Sequence, residues 1–134
     1  MTLVIDASVA TKWILPEPGS DRAAALRHED DDLIAPALIV SEIGNAIWKR
    51  VMWRELQRDD AVRAVEIAIN LVSRLVPISD LAPRALEIAI ELQHPIYDCF
   101  YLALAEHERV PLVCADGPLV SKTRKLKGIE VRTL

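Results

Sequence analysis

The chain has 134 residues, 51% of them hydrophobic and 27% charged, which suits one folded core and predicts a single domain over residues 1–134. The net charge of −4 argues against a protein that holds nucleic acid by bulk electrostatics alone. The longest apolar run, residues 33–40, is too short to span a membrane, and no basic region precedes the first apolar run, so we expect a cytoplasmic protein.

Strand and helix patterns alternate along the first half of the chain. The predicted elements are, in order, a strand at 2–6, helices at 7–15 and 21–28, a strand ending at Pro36, and a long helix at 37–54. Pro36 suits the N-terminal boundary of that long helix, because proline needs no backbone donor there. The three aspartates at 30–32 are interpreted as a solvated turn.

The second half continues the alternation. The predicted elements are helices at 59–75 and 83–92, with a short strand at 75–79 between them, a helix that begins at Pro95, and strands at 111–116 and 129–134. Asp59 and Asp60 favour the N-terminus of the first of these helices. The pattern predicts an α/β fold, a three-layer α/β/α sandwich with a mostly parallel sheet and helices on both faces.

The cysteines and the C-terminal basic residues can each be interpreted with or without a binding function. Cys99 and Cys114 lie in apolar surroundings without CxxC spacing, which favours buried free thiols over a disulfide or a zinc site. Residues 121–134 carry five basic residues against Glu130 alone. This local basic patch is either a solvated surface turn or a contact for an anionic ligand.

Two aspartates follow predicted strands. Asp6 ends the first strand and Asp116 ends the strand at 111–116. Parallel strands end at the same edge of a sheet, where ligands bind in α/β folds, so both carboxylates are expected at that edge. The ordinary alternative is that each aspartate caps the helix that follows it.

Two further acids lie within predicted helices. Glu42 has no basic residue three or four positions further on with which to form the stabilising ion pair common in helices. The ordinary alternative is that Glu42 is an exposed, unpaired glutamate. Asp98 lies in a helix that is apolar nearly all round and offers the charge no adjacent Lys or Arg. A position in the first helical turn, where a carboxylate stabilises the helix dipole, is the alternative explanation for Asp98.

These four acids would need a cation if they converge. Two carboxylates about 6 Å apart repel each other by roughly 3 kcal/mol at an effective dielectric constant of 20. Hard oxygen ligands favour Mg²⁺ or Mn²⁺ over zinc. Without the four acids the chain would have 16 acidic and 16 basic residues, so bound divalent ions would remove the electrostatic objection to a polyanionic substrate.

Four segments resemble the PIN-domain nucleases, most closely the VapC-type toxins of toxin-antitoxin pairs. They are VIDAS at 4–8, PALIVSEIGNAIWK at 36–49, YDCFYLALAEH at 97–107 and LVCADGPL at 112–119. The resemblance implies an endoribonuclease in which one or two Mg²⁺ or Mn²⁺ ions are bound by Asp6, Glu42, Asp98 and Asp116. Asp6 and Asp98 would hold the principal ion, Glu42 would share it or act through water, and Asp116 would hold the second ion.

The resemblance also implies supporting residues and partners. Ser8 would orient a carboxylate, although a lone serine more often caps a helix, and Asn45 lies one turn from Glu42. Many relatives have Thr or Ser at the position of Cys114, which puts one supporting hydrogen bond in doubt. The hypothetical phosphate contacts are Lys12, Lys122, Arg124, Lys125 and Lys127.

A homodimer and a VapB-type antitoxin are the implied protein partners. Three tryptophans could serve such interfaces, although at least one is expected in the core: Trp13, Trp48 and Trp53. The alternative to the nuclease is a catalytically inactive PIN-like interaction module. A receiver-like domain fits poorly, because Ala7 follows Asp6 where a receiver has a second acid, and no lysine follows the last strand.

Overall fold

The computed structural model describes residues 1–28 and 30–134. Its strands are β1 (Thr2–Ile5), β2 (Asp32–Pro36), β3 (Arg74–Val76), β4 (Leu112–Cys114) and β5 (Val131–Thr133). Its α-helices are α1 (Ala7–Ala10), α2 (Ser20–Ala25), α3 (Ile39–Met52), α4 (Arg58–Asn70), α5 (Ala82–Leu92), α6 (Ile96–Glu108) and α7 (Gly117–Thr123). Two 3₁₀ turns, Thr11–Trp13 and Ile78–Asp80, complete the set.

The five strands form one sheet in the order β3-β2-β1-β4-β5, and every neighbouring pair is parallel. The chain adds strands outward in one direction from β1 to β3 and in the other direction from β4 to β5. Because crossovers between parallel strands are right-handed, this reversal places α1 to α4 on one face and α5 to α7 on the other. The predicted α/β sandwich is confirmed, with a sheet that is parallel throughout.

The reversal point lies between β1 and β4. Their register pairs Val4 with Leu112 and Ile5 with Val113, so the two strands end side by side. In open parallel sheets the crevice for ligands lies beyond the carboxyl ends of the strands at such a point. The residues that follow β1 and β4 therefore line the crevice.

Helix α6 provides the centre of the core. Every residue from Cys99 to Ala105 is buried, and the helix contacts β1, β2, β4 and α5. This confirms the apolar helix expected from the sequence. The only large hydrophobic residue of α6 that is exposed is Tyr97, in the first turn.

Several predicted boundaries were wrong. Helix α4 ends at Asn70 because Arg74 to Val76 pairs with β2, so sheet pairing overrides the helical pattern that ran to residue 75. The predicted helix at 7–15 is four residues of α1 followed by a 3₁₀ turn, and the predicted strand at 75–79 gives way to a turn at Ile78.

The prediction of a solvated turn at residues 30–32 was also wrong in part. Asp32 begins β2 and pairs with Thr2, while Asp31 forms an ion pair of 3.0 Å with the N-terminal ammonium group. Both cysteines are free and buried, as predicted. Within the described residues, no helix has the length and apolar character needed to cross a membrane.

Candidate active site

Asp6 lies immediately after β1, and its backbone N–H donates to Val113 O over 3.4 Å. Its side chain caps α1, because Oδ1 accepts hydrogen bonds from Ser8 Oγ and from the Val9 N–H at 3.2 Å. The helix-capping and sheet-edge interpretations of Asp6 are therefore both correct. Only 7% of the residue is exposed.

The electrostatic setting of Asp6 disfavours its charge. Burial is the largest effect and raises the pKa of Asp6 to about 7, against the lowering effect of its hydrogen bonds with Ser8 and Val9. The nearby carboxylates of Asp98 and Glu42 raise this pKa further. A buried carboxylate close to two others is a setting that a bound cation would relieve.

Glu42 enters the same group from the first turn of α3. Burial raises its pKa, a hydrogen bond from Tyr101 lowers it, and the charge of Asp98 raises it again. The Tyr101 hydroxyl donates to Glu42 Oε1 over 2.6 Å, and burial holds the pKa of this hydroxyl far above its ordinary value. Tyr101 therefore remains a donor throughout the physiological range.

Asp98 lies in the first turn of α6, and its Oδ2 is 2.7 Å from His94 Nε2. Its side chain is 35% exposed. The effects of Asp98 on the pKa values of Asp6 and Glu42 place the three carboxylates in one group. Helices α3 and α6 thus bring two acids to the end of β1.

Asp116 lies at the margin of this group. It caps α7, accepting the Leu119 N–H at Oδ1 over 3.4 Å, and it is exposed. Its link to the other acids is Cys114: burial raises the pKa of this thiol to about 12, and the charges of Asp6, Asp116 and Asp98 all contribute. Asp116 therefore shares the crevice, on the side of β4.

Each of the four carboxylates uses one oxygen within the protein. The bonded atoms are Asp6 Oδ1 with Ser8 and Val9, Glu42 Oε1 with Tyr101, Asp98 Oδ2 with His94, and Asp116 Oδ1 with Leu119. In residues 1–28 and 30–134, no hydrogen bond reaches the second oxygen of any of the four, and no side-chain N or O atom is both fully buried and unpartnered. The free oxygens of Asp6, Glu42 and Asp98 therefore keep some accessible surface, and Asp116 is itself exposed.

This donor set fits a hard divalent cation by its chemistry. All four free atoms are carboxylate oxygens, and within the described part of the chain none of these acids pairs with Lys or Arg. As the side chains stand, no three His, Cys, Asp or Glu residues among those described are close enough to hold one ion. Binding would therefore require the repelling side chains to turn toward the ion.

The supporting residues proposed from the sequence have different positions. Ser8 Oγ joins two strand ends, since it donates to Asp6 and accepts the Ala115 N–H at 3.0 Å. Cys114 Sγ donates to the backbone oxygen of Asp116 over 3.7 Å, so the thiol does not replace a hydroxyl bond to a carboxylate. Asn45 is exposed and, in the described structure, forms no hydrogen bond with any of the four acids.

The basic residues proposed as phosphate contacts also differ in their surroundings. The Lys12 ammonium is 3.1 Å from Glu17 Oε2, so contact with a phosphate would first require this ion pair to break. Lys122, in the last turn of α7, is 3.1 Å from His94 Nδ1 and is thereby linked to Asp98. Arg124, Lys125 and Lys127 are exposed beyond α7.

Sequence reasoning missed Tyr101 and His94. His94 precedes Asp98 by four residues, the spacing of neighbouring side chains on a helix, and this signal could have identified it. Tyr101 lies in the helix predicted to be apolar nearly all round, and it is 1% exposed. No spacing along the chain could connect it with Glu42, because that contact joins helices from opposite faces of the sheet, α6 and α3, at the carboxyl end of β1.

The chain is similar to known proteins along most of its length. The family model of the PIN domain matches residues 3–125. Ribonuclease VapC12 of Mycobacterium tuberculosis is 31% identical over 117 residues, which cover 87% of this chain and 88% of that protein. The chain therefore belongs to the PIN-domain family. Within that family it is of the VapC type.

Solved structures show the same fold. VapBC2 from Rickettsia felis, bound to a DNA fragment from its promoter, has a TM-score of 0.71 at 11% identity and covers all of this chain and 99% of that one. VapC20 of Mycobacterium tuberculosis, a toxin described as cleaving the sarcin-ricin loop, has a TM-score of 0.71 at 17% identity. The match covers 89% of this chain and 93% of VapC20.

Proposed function

We propose that this chain is a Mg²⁺- or Mn²⁺-dependent endoribonuclease, the toxin of a type II toxin-antitoxin pair, which hydrolyses phosphodiester bonds in RNA. One observation carries the proposal: four carboxylates around the ends of β1 and β4 each keep one oxygen free of protein hydrogen bonds. Burial, and after it the charges of Asp98 and Glu42, raises the pKa of Asp6, and a bound divalent ion would relieve both penalties.

The protein's own residues would bind the divalent ion and orient its carboxylate ligands. Asp6, Glu42, Asp98 and Asp116 would hold the ion or ions through their free oxygens, while Ser8 fixes the plane of the Asp6 carboxylate. When bound, the divalent ion supplies the charge that activates water and stabilises the developing oxyanion of the phosphate. Partners that fix ligand orientation typically change metal affinity or activity by about 10- to 100-fold.

The substrate assignment rests on charge and on the relatives. Lys122, in the last turn of α7, is linked to Asp98 through His94, so one basic residue adjoins the acid group, and Arg124 and Lys125 follow it beyond the end of that helix. The relatives named as ribonucleases and as a sarcin-ricin loop cleaving toxin support an RNA substrate for this chain. Transfer RNA and ribosomal RNA are the candidates to test first.

A VapB-type antitoxin and a second copy of the chain are the proposed partners, in the cytoplasm. The assembled VapBC2 structure supports the first of them. Large apolar side chains on α3, α4 and the turn after α3 remain exposed and suit a protein interface: Trp48, Met52, Trp53 and Val62. Trp13 is instead packed against the core and donates to Ala23 O, as expected for at least one tryptophan.

An inactive PIN-like interaction module is the second candidate. The observation that favours it is the side-chain arrangement, which brings no three candidate ligands in the described structure close enough for one ion. Direct measurement of Mn²⁺ binding separates the two candidates, because an inactive module needs no divalent ion.

The test uses purified protein, free of antitoxin, with a panel of tRNAs and rRNA in Mg²⁺ or Mn²⁺. We expect RNA cleavage that EDTA stops. Asp98→Asn should lower the cleavage rate by about 100-fold or more, which exceeds the effect typical of residues that only orient a metal ligand. Asp59→Asn, which changes an exposed acid on α4, is the matched control and should cleave like the wild type. Intact RNA with the wild-type protein, together with no heat of Mn²⁺ binding, would reject the nuclease.

A further inference from the structure

His94 lies between a candidate metal ligand and a candidate phosphate contact. Its Nε2 is 2.7 Å from Asp98 Oδ2, and its Nδ1 is 3.1 Å from Lys122 Nζ. The imidazole side chain is only 15% exposed. A single half-buried ring therefore separates a carboxylate from an ammonium group.

The chemistry of the two neighbours fixes the tautomer of this ring. A lysine ammonium has three donors and no acceptor, so Nδ1 must accept its hydrogen bond. The ring proton of the neutral imidazole then lies on Nε2 and is donated to Asp98. Lys122 uses one N–H on His94 and keeps two for another ligand.

The backbone places His94 at a sharp corner. Gln93 ends α5 with a left-handed φ of 51°, and the His94 N–H donates to Ala89 O over 3.0 Å. Pro95 then starts α6. The ring is thus fixed one turn ahead of Asp98, while Lys122 approaches from α7, the helix that Asp116 caps.

This arrangement keeps the Lys122 ammonium from forming an ion pair with the Asp98 carboxylate. A flexible lysine beside Asp98 would otherwise pair with that carboxylate directly and compete with a divalent ion for it. The neutral ring keeps the two charges apart while bonding to both. Asp98 Oδ1 is left free, and the Lys122 ammonium is held at a fixed position on the other side of the imidazole ring.

We propose that His94 is a positioning residue that keeps Asp98 available to the divalent ion and Lys122 available to a phosphate of the RNA. The inference rests on the proposed function, because it concerns the same site. It assigns to the corner between α5 and α6 the task of coupling metal binding with substrate binding.

The first measurement is Mn²⁺ affinity by calorimetry on the full chain without RNA. We expect His94→Ala to weaken binding by about 10- to 100-fold, the range for residues that orient metal ligands. In the double variant His94→Ala/Lys122→Gln part of the affinity should return, because no ammonium is left to pair with Asp98. Equal affinity in the single and double variants would overturn the separating role of the ring, and wild-type affinity in His94→Ala would overturn the whole inference.

A second variant guards against loss of folding. The amide nitrogen of glutamine occupies nearly the position of Nε2, so His94→Gln should keep the bond to Asp98 and lose the one to Lys122. We expect near wild-type Mn²⁺ affinity, with weaker binding of bulk tRNA in EDTA and a smaller dependence of that binding on salt, by about one unit in slope. Unchanged tRNA binding with unchanged salt dependence would contradict the role of Lys122.

The controls separate this inference from the proposed function. His107→Ala removes an exposed histidine from the other end of α6 and should bind Mn²⁺ and tRNA like the wild type. If the wild-type protein itself fails to bind Mn²⁺, the proposed function fails. If the wild type binds and cleaves but the His94 variants match it, only the role of His94 fails.

Discussion

At the scale of single residues, each candidate ligand depends on a different partner. A hydroxyl group, a phenol, an imidazole and a backbone N–H each hold one oxygen of one carboxylate. The partners of Asp6 and Asp116 lie within three residues of them, whereas Tyr101 is 59 positions from Glu42. The long-range contact is therefore the one that reports on how helices from the two faces of the sheet meet at its edge.

Tyr101→Phe tests that contact. Phenylalanine keeps the buried ring but removes the donor that lowers the pKa of Glu42, so this pKa should rise further above its ordinary value. A smaller fraction of Glu42 is then ionised at a given pH, and the acidic limb of the pH–rate profile moves to higher pH. Mn²⁺ affinity at pH 7 should fall by about 10-fold.

The matched control for Tyr101→Phe is Tyr97→Phe on the same helix. Tyr97 is 65% exposed and, in the described structure, forms no side-chain hydrogen bond. Rates measured between pH 5 and 9 should coincide for this variant and the wild type. A Tyr101→Phe profile that also coincides with them would mean that Glu42 is not needed in its ionised form.

At the scale of elements, α6 joins the core to the site. Its buried residues form a continuous run from Cys99 to Ala105, and Asp98 directly precedes them. The carboxylate is therefore held by a helix that packs against the centre of the sheet. A ligand on such an element is fixed more precisely than one on a surface loop.

Leu104→Ala tests how far the core depends on α6. Leu104 is fully buried, so its truncation should lower the free energy of unfolding by about 3 kcal/mol through lost apolar burial and the cavity left behind. The matched control is Ile90→Ala on α5, where the side chain is 70% exposed and the loss should stay within about 0.5 kcal/mol. Urea unfolding of both variants provides the comparison, and equal losses would contradict the burial assigned to α6.

At the scale of the whole molecule, the sequence predicted what depends on periodicity and strand order. The order of strands and helices, the parallel sheet and the shared edge for Asp6 and Asp116 all follow from local patterns. The end of α4 could not be predicted, because the pairing of Arg74 with Ile34 decides it. The bonds of His94 to Lys122 and of Tyr101 to Glu42 depend on the tertiary arrangement of the helices around the sheet, which no local pattern encodes.

The stability of the metal-free protein should fall as the pH rises from about 4 to 7. The pKa of Asp6 is about 7 in the folded chain against an ordinary value of 3.8, so in this window the folded state binds more protons than the unfolded state. A difference of about three pKa units corresponds to at most about 4 kcal/mol of unfolding free energy, all of it lost by the time the pH passes the folded value. The raised pKa of Glu42 acts in the same direction.

Urea unfolding in EDTA at pH 5 and pH 8 measures this loss, with Asp6→Asn as the reference. Asparagine keeps an oxygen to accept the bonds from Ser8 and Val9 but carries no charge, so its loss of stability between the two pH values should be smaller by a few kcal/mol. Mn²⁺ binds the ionised carboxylates, so it should stabilise the wild type more at pH 8 than at pH 5. At 100 times the dissociation constant that holds at pH 8, the stabilisation at pH 8 should be about 3 kcal/mol. An identical pH dependence in the two proteins would show that burial and the neighbouring carboxylates impose no penalty on the charge of Asp6, and a cation would then have none to relieve at this position.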